Sequence, residues 1–191
     1  MTSHARISTI GIEAYLTEEE VREIRHEYVS GQLFAMVGAS LAHNVISLNI
    51  AALLNARLRG GACRAFMADM KVRVKNPDAF YYPDVVVSCE PRYDQALYLE
   101  APKLIVEVLS PATENIDRRE KRLAYQRLES LEEYVIAAQI IHRLEVYRPS
   151  QTGIWEAESY ESSESALLRS LDLALPLDQI YEGLGGGESW R

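Results

Sequence analysis

Two carboxylates, Asp84 and Glu107, lie beside apolar runs in which a charge is unfavourable unless something compensates it. Asp84 follows Pro83 and precedes three valines, and Glu107 interrupts the apolar segment 104–109. Two acids on neighbouring strands can share a hard divalent cation such as Mg²⁺ or Mn²⁺, which prefers oxygen ligands. The sequence therefore predicts a metal site at this pair, with the backbone carbonyl of Val108 as a further ligand.

A cation held there would lower the pKa of a bound water and stabilise charge on a phosphate oxygen, which favours phosphodiester hydrolysis. Each acid also has a structural alternative. Asp84 could cap a strand after a proline turn, and Glu107 could form a buried ion pair with a basic side chain. A hydrolase acting on nucleotides or small phosphoesters would use the same site.

The composition bounds the class of protein. With 191 residues, the chain fits one domain, 1–191, with a core from about 17 to 175 and a frayed end at 185–191. A formal charge of -8 argues against a protein that coats nucleic acid by simple attraction to phosphate. It does not exclude an enzyme that acts on nucleic acid through a metal site.

The sequence also predicts a cytoplasmic protein with no membrane association. No apolar run approaches the ~20 residues that cross a bilayer, and the N-terminus lacks the apolar core of a signal peptide. The two cysteines, Cys63 and Cys89, are too few for a disulfide framework and fit a reducing cytosol.

Three elements are predicted before residue 60. A helix is expected from a Thr17 cap to about His26, with Glu20 completing a capping box. A β-hairpin follows over 27–37, and a long amphipathic helix over 40–59. His43 lies in the first turn of that helix, where it either faces a site or serves as a solvated or capping residue.

The middle of the chain reads as two strands, 63–75 and 80–88, the second of which carries Asp84. The first ends in an alternation that predicts a basic outer face. This face, either solvated or close to a phosphate backbone, is formed by Lys71, Arg73 and Lys75.

The second half of the chain predicts a β-α-β unit. An apolar strand over 103–109 precedes a helix capped at Thr113 or Asn115 and running to about 129, and another apolar strand covers 133–141. The residues expected to face inward on this helix are Ile116, Leu123, Tyr125 and Leu128. A strand over 144–147, an edge strand over 155–160 and a helical turn around Ile180 complete the fold.

Taken together, Pro83-Asp84, Glu107 in the string LIVEVLSP and the later string DRREKRLAY resemble the core of the PD-(D/E)XK nuclease superfamily. The resemblance is closest to its Uma-type branch of restriction-endonuclease-like proteins, which the strings HEYVSGQLF and AHN also match. It implies an α/β (α+β mixed) fold, with a mixed β-sheet core flanked by helices and an N-terminal β-hairpin. It also implies a magnesium-dependent centre with DNA as the usual substrate.

Carried over residue by residue, the resemblance makes Asp84 and Glu107 the metal-binding acids and Glu27 an auxiliary acid. The superfamily pattern has a lysine two residues after the second acid, but Leu109 stands there. Lys121 matches the lysine of the branch and would reach back from the following helix to orient the attacking water. The other residues that match the branch are Asp117 and Tyr125.

Two functions follow from this sequence. The first is a metal-dependent endonuclease, for which a homodimer would conveniently supply two sites to the two strands of a duplex. The second is a non-catalytic protein of the same fold that binds DNA or a protein partner. The displaced lysine and the acidic charge favour the second function, whereas the order of the four candidate residues favours the first: Glu27, Asp84, Glu107 and Lys121.

Overall fold

The computed structural model describes residues 9–36, 38–91, 95–111 and 113–184. The end that was predicted to fray, 185–191, lies outside these ranges. The helices are α1 (Ile12–Val21), α2 (Leu41–Leu58), a π-helical segment (Ile116–Lys121) that leads directly into α3 (Arg122–Tyr125), a 3₁₀ turn (Arg169–Leu171) and α4 (Leu177–Ile180). Within these ranges, no helix combines the length and hydropathy that a bilayer-spanning segment requires.

The strands form two large sheets and one small one. In chain order they are β1 (His26–Val29), β2 (Gln32–Ala35), β3 (Arg64–Met67), β4 (Lys71–Val74), β5 (Ala79–Tyr81), β6 (Val85–Ser88), β7 (Tyr98–Leu99), β8 (Pro102–Val108), β9 (Glu133–Ala137), β10 (Arg143–Pro149), β11 (Trp155–Glu161), β12 (Ser165–Leu168) and β13 (Leu173–Pro176). The larger sheet has the order β11-β10-β9-β8-β6-β3, the second β2-β1-β5-β4-β7, and β12 pairs with β13.

The six-stranded sheet is mixed because β8 and β9 are parallel and its other neighbours are antiparallel. Its two faces are both covered. Helices α2 and α4 and the β12–β13 pair pack on one face, and the five-stranded sheet and α3 pack on the other. Because side chains alternate along a strand, Glu107 in β8 shares the second face with Ile105. The predicted mixed α/β fold is therefore confirmed.

Several elements lie where the sequence predicts them. The hairpin β1–β2 turns at Ser30 and Gly31, which both have positive φ. Helix α2 begins after Ser40, whose hydroxyl accepts a hydrogen bond from the His43 backbone N–H at 3.1 Å. The parallel pairing of β8 with β9 confirms the β-α-β unit, and β11 lies at the predicted edge.

The predicted strands 63–75 and 80–88 are each divided in two, which corrects the sequence prediction. The first separates into β3 and β4 at Ala68, which has a φ of 55°. The second separates into β5 and β6 around Pro83, which has no N–H to donate to a ladder. Both segments therefore cross from one large sheet to the other at the same level, where the Ala68 N–H faces the Asp84 carbonyl at 3.4 Å.

The predicted basic outer face is also wrong. The Lys71 side chain is buried, with its amine 5.3 Å from the centre of the Tyr82 ring. Arg73 forms an ion pair with Asp78, and Lys75 remains exposed. Helix α1 covers this face: its Tyr15 packs on Tyr28 and Phe80, and Phe80 is the strand partner of Arg73.

Two predicted helices differ from those observed. Helix α1 begins at Ile12, and Thr17 is inside it, with a hydroxyl that donates to the Glu13 carbonyl at 2.9 Å instead of capping. The helix predicted to reach 129 ends at Tyr125, and its first part is π-helical. Wider winding changes which side chains face inward, so Ile116 and Leu123 are 43% and 55% exposed, whereas Tyr125 is buried as predicted.

The two cysteines are joined in a disulfide, Cys63–Cys89, which corrects the expectation that they simply fit a reducing cytosol. The antiparallel register of β3 and β6 pairs Arg64 with Ser88, so the next residues outward lie opposite each other. Their separation of 26 residues along the chain gives no sign of this pairing.

Candidate active site

The two acids singled out in the sequence meet where the chain passes from the five-stranded sheet into the six-stranded one. Asp84 lies just before β6, which pairs with β8, the strand that carries Glu107. The Asp84 backbone N–H lies 3.4 Å from Glu107 Oε2, and the Val108 N–H donates to Asp84 Oδ2 at 2.7 Å. Strand pairing therefore brings together two residues that are 23 positions apart in the chain.

Glu107 is the buried centre of this site, with only 3% of its surface exposed. Its Oε1 accepts a hydrogen bond from the Tyr125 hydroxyl at 3.1 Å and lies 3.4 Å from the Lys121 amine. Burial raises the pKa of Glu107 well above its usual value, because Lys121 only partly offsets the desolvation and nearby acids add to it. Its charged form is thus poorly compensated by the protein alone.

Lys121 reaches the site from the end of the π-helical segment, which lies over the carboxyl end of β8. Its Nζ is 2.7 Å from Glu27 Oε1, 3.4 Å from Glu107 Oε1 and 3.5 Å from Asp117 Oδ1. Burial by itself would lower the pKa of Lys121, but these acids raise it well above its usual value, so the amine remains protonated.

Glu27 enters from the N-terminal hairpin. It lies in β1, and its Oε1 accepts a hydrogen bond from the Tyr82 backbone N–H at 3.3 Å as well as contacting Lys121. The hairpin is held to the five-stranded sheet by the pairing of β1 with β5. An acid from the first strand of the chain is thereby placed beside residues from its middle.

Asp117 is a fourth acid in the same cluster. Its side chain is buried, and its Oδ1 has no hydrogen-bond partner among the described residues beyond the ion-pair contact with Lys121. Burial raises the pKa of Asp117, and Lys121 opposes that shift. The sequence had left open whether Asp117 only pairs with Lys121 along the helix, and the structure shows that it does so from within the site.

His43 also lies in the site, which the sequence had not decided. Its Nε2 is 3.2 Å from Asp84 Oδ2. Burial favours the neutral imidazole, but the nearby carboxylates of Asp84 and Asp117 and a hydrogen bond to the Val108 carbonyl raise the pKa of His43 above its usual value. The sequence placed His43 in the first turn of α2. The direction of its side chain depends on how that helix packs against the sheet, which the sequence does not show.

The charge balance of the site suits a hard cation. Four carboxylates, those of Glu27, Asp84, Glu107 and Asp117, lie in one cluster with a single lysine, whose amine contacts three of them. Among the described residues no three His, Cys, Asp or Glu side chains form a ready-made metal shell. Magnesium keeps several waters and is commonly bound through one or two carboxylates, so the Asp84–Glu107 pair with its surplus of negative charge fits it.

The chain is similar to several known proteins. A family model described as "Putative restriction endonuclease" and named Uma2 matches residues 12–178. The uncharacterized protein slr1290 of Synechocystis is 36% identical over 173 residues, covering 90% of this chain and 91% of that protein. The uncharacterized protein sll1609 of the same organism is 30% identical over 144 residues, covering 74% of this chain and 81% of that protein.

Among solved structures, the chain resembles a crystal structure described as a "putative nuclease belonging to DUF820" from Anabaena variabilis. The TM-score is 0.73 at 21% identity, over 90% of this chain and 97% of the other. At that identity the likeness shows the shared fold. The family model spans most of the chain and agrees with the resemblance drawn from its motifs, and the protein therefore belongs to the Uma2 family.

Proposed function

We propose that this protein is an endonuclease that hydrolyses DNA phosphodiester bonds with Mg²⁺ or Mn²⁺ as cofactor. Asp84, Glu107 and the Val108 carbonyl would hold the cation. The observation that carries the proposal is the meeting of Asp84 and Glu107 on paired strands, beside a protonated lysine and within a surplus of carboxylates. The description of the Uma2 family and the likeness to a nuclease-type fold support the same class of reaction.

The protein's own residues divide the work around that pair. A bound divalent cation would supply an acidified water and charge neutralisation at the phosphate. Lys121 would orient the attacking water and stabilise negative charge that develops on the phosphate oxygens. Glu27 holds the Lys121 amine at 2.7 Å, and the Tyr125 hydroxyl fixes one oxygen of Glu107. Lys121 would thus take, from the helix, the place that the superfamily pattern assigns to a lysine on the strand after the second acid.

DNA as substrate, a homodimer and a cytoplasmic location belong to the same proposal, and in a reducing cytosol Cys63 and Cys89 would be kept as thiols. The acidic net charge of -8 means that attraction to a phosphate backbone must come from the site and its cation. Two copies related by a two-fold axis would present two sites to the two strands of a duplex. Light scattering with and without duplex DNA would test the dimer.

A non-catalytic binding protein is the second candidate function, and one observation favours it. The Lys121 amine already contacts three carboxylates, so the protein compensates part of the buried charge without a cation. A network of that kind could be retained for stability alone. Cation binding therefore separates the two candidates.

The test is calorimetric titration of Mg²⁺ and of Mn²⁺, together with a plasmid-nicking assay. It compares the unmodified protein, an Asp84→Asn/Glu107→Gln double variant and a Glu156→Gln control, which changes an exposed acid on β11. We expect saturable binding and nicking in the unmodified protein and the control, and neither in the double variant. Absence of cation binding in the unmodified protein would contradict the endonuclease function, and binding without nicking of any nucleic acid would favour the second candidate.

A further inference from the structure

The contact between His43 and Asp84 joins the site to a helix that otherwise belongs to the core. Helix α2 packs on the six-stranded sheet through Ile46, Ile50 and Leu54. One turn earlier, the His43 imidazole turns from that core towards Asp84, and 15% of its side chain remains exposed. A histidine in this place is neither a core residue nor a solvated one.

The two oxygens of the Asp84 carboxylate are in different situations. Oδ2 accepts from the Val108 N–H at 2.7 Å and lies 3.2 Å from His43 Nε2, so both of these contacts fall on the same oxygen. Among the described residues, none donates a hydrogen bond to Oδ1. Asp84 has 21% of its side chain exposed, so Oδ1 is left as the open oxygen.

The backbone of His43 is fixed from both sides, which places the imidazole accurately. Its N–H donates to the Ser40 hydroxyl at 3.1 Å, and its carbonyl accepts from the Ser47 hydroxyl at 2.8 Å. Ser40 in turn contacts the Gln139 side chain at 2.7 Å. The start of α2 is therefore attached to the loop after β9, near the carboxyl end of the central parallel strands.

Asp84 needs such a support because of where it stands. It follows Pro83 in the crossing between the two sheets, one residue before β6, and its backbone contacts with Ala68 and Glu107 are both long, at 3.4 Å. With the Val108 bond alone, its carboxylate could still rotate about that bond, and rotation would misplace Oδ1. Partners outside the ligand shell commonly fix ligating carboxylates in this way.

We infer that His43 is a positioning residue for the proposed cation site: it holds Asp84 Oδ2, together with the Val108 N–H, so that Oδ1 faces the cation. This inference rests on the proposed function, because it concerns the same cation. Helix α2 would then contribute to the site, in addition to the paired strands that carry Asp84 and Glu107.

The test measures cation affinity directly, apart from nuclease activity. Mn²⁺ and Mg²⁺ are titrated calorimetrically into the unmodified protein, His43→Ala, His43→Gln and an Asn44→Ala control, which removes an exposed side chain from the same helical turn. Thermal unfolding without cation shows that each variant is folded. We expect His43→Ala to weaken Mn²⁺ binding by about 10- to 100-fold. His43→Gln, whose amide can still donate to Oδ2, should recover most of the affinity, and the control should behave as the unmodified protein.

The outcomes separate this inference from the proposed function. Cation binding by the unmodified protein and equal binding by folded His43→Ala would overturn the positioning role while leaving the proposed function intact. Equal losses in His43→Ala and His43→Gln, with tight Zn²⁺ or Co²⁺ binding by the unmodified protein, would make His43 a direct ligand and also overturn it. If the unmodified protein binds neither Mg²⁺ nor Mn²⁺, the proposed function itself fails.

Discussion

Two glutamates lie buried on neighbouring parallel strands of the same sheet, Glu107 near the end of β8 and Glu133 at the start of β9. Glu133 is saturated with donors. It accepts from Arg148 Nε at 2.5 Å, from the backbone N–H groups of Arg169 at 2.9 Å and Ser170 at 3.1 Å, and from the Ser170 hydroxyl. Among the residues that the structure describes, Glu107 has no hydrogen bond or ion pair shorter than the 3.1 Å bond from Tyr125.

The difference shows how burial of the same residue type serves two purposes. Glu133 binds the 3₁₀ turn and Arg148 to the sheet, so its charge is compensated by groups that hold the fold together. Glu107 lies in a cluster where acids outnumber the lysine, and its raised pKa records incomplete compensation. A buried charge that the protein leaves partly unsatisfied marks a functional site more reliably than burial itself.

The largest expected effect is the loss of cation binding and nicking when Glu107 is replaced, because only this glutamate is proposed to hold the cation. Glu107→Gln should reduce Mn²⁺ affinity and nicking by more than about 100-fold, because a ligand matters more than its supporting shell. Its melting temperature should not fall, since the change removes a poorly compensated buried charge. Calorimetry, plasmid nicking and thermal unfolding measure these quantities. Unchanged cation affinity would place the site elsewhere.

Glu133 is expected to affect the stability of the fold and not the cation affinity. Glu133→Ala should lower the free energy of unfolding by about 3–5 kcal/mol, because Arg148 and the N–H groups of the 3₁₀ turn lose their buried partner. Urea denaturation measures the loss, and cation affinity of the folded variant should stay unchanged. A Glu132→Ala control removes an exposed partner of Lys103 and should change stability by no more than about 1 kcal/mol. Equal losses in the two variants would contradict the role of Glu133.

Lys121→Met sharpens the comparison within the site. Loss of the ammonium should lower nicking by about 100-fold, because the charged group proposed to stabilise the phosphate oxygens is removed. Cation affinity should stay the same or increase, since one positive charge leaves a cluster of acids. Single-turnover nicking and calorimetry measure the two quantities separately. A parallel fall in both would mean that Lys121 supports the ligands and not the chemistry.

The last prediction is a loss of stability at alkaline pH, caused by two buried tyrosines in different parts of the molecule. Burial raises the pKa of Tyr81, beside the acidic cluster, and of Tyr181, which directly follows α4, to about 12. Unfolded tyrosine ionises near its usual pKa of about 10, so the unfolded chain loses protons first. Stability should therefore be complete below about pH 10 and fall as pH rises towards 12. Phenolate absorbance and circular dichroism should change together. Ionisation of all 11 tyrosines near pH 10 with the fold intact would contradict the burial of these two rings.

Much of the fold could be predicted because it follows from local pattern. The apolar runs around Glu107 and after Glu133 identified central strands, and the Ser30-Gly31 turn identified the hairpin. The divided strands were not predicted, because apolar residues flank both Ala68 and Pro83, so each segment predicts one strand although the chain leaves one sheet for the other there. The early start of α1 at Ile12 was hidden because Gly11 caps it without a side-chain hydrogen bond.

The candidate site shows the same division. The order of Glu27, Asp84, Glu107 and Lys121 identified residues that the structure brings together. His43 could not be assigned, since the direction of its side chain depends on how α2 packs against the sheet. The Cys63–Cys89 bond could not be predicted either, because only the register of β3 with β6 places the two residues opposite each other.

The sequence by itself determined which residues are candidates for the chemistry and which segments form the central parallel strands, because apolar runs and motif order are properties of the chain. It did not distinguish Glu107 from Glu133, since each lies beside an apolar run. Only the tertiary structure decided that Glu133 is surrounded by hydrogen-bond donors, whereas Glu107 lies in a cluster of acids around Lys121. The physical reason is that compensation of a buried charge depends on partners from distant strands and helices, which are brought within a few ångströms only by packing.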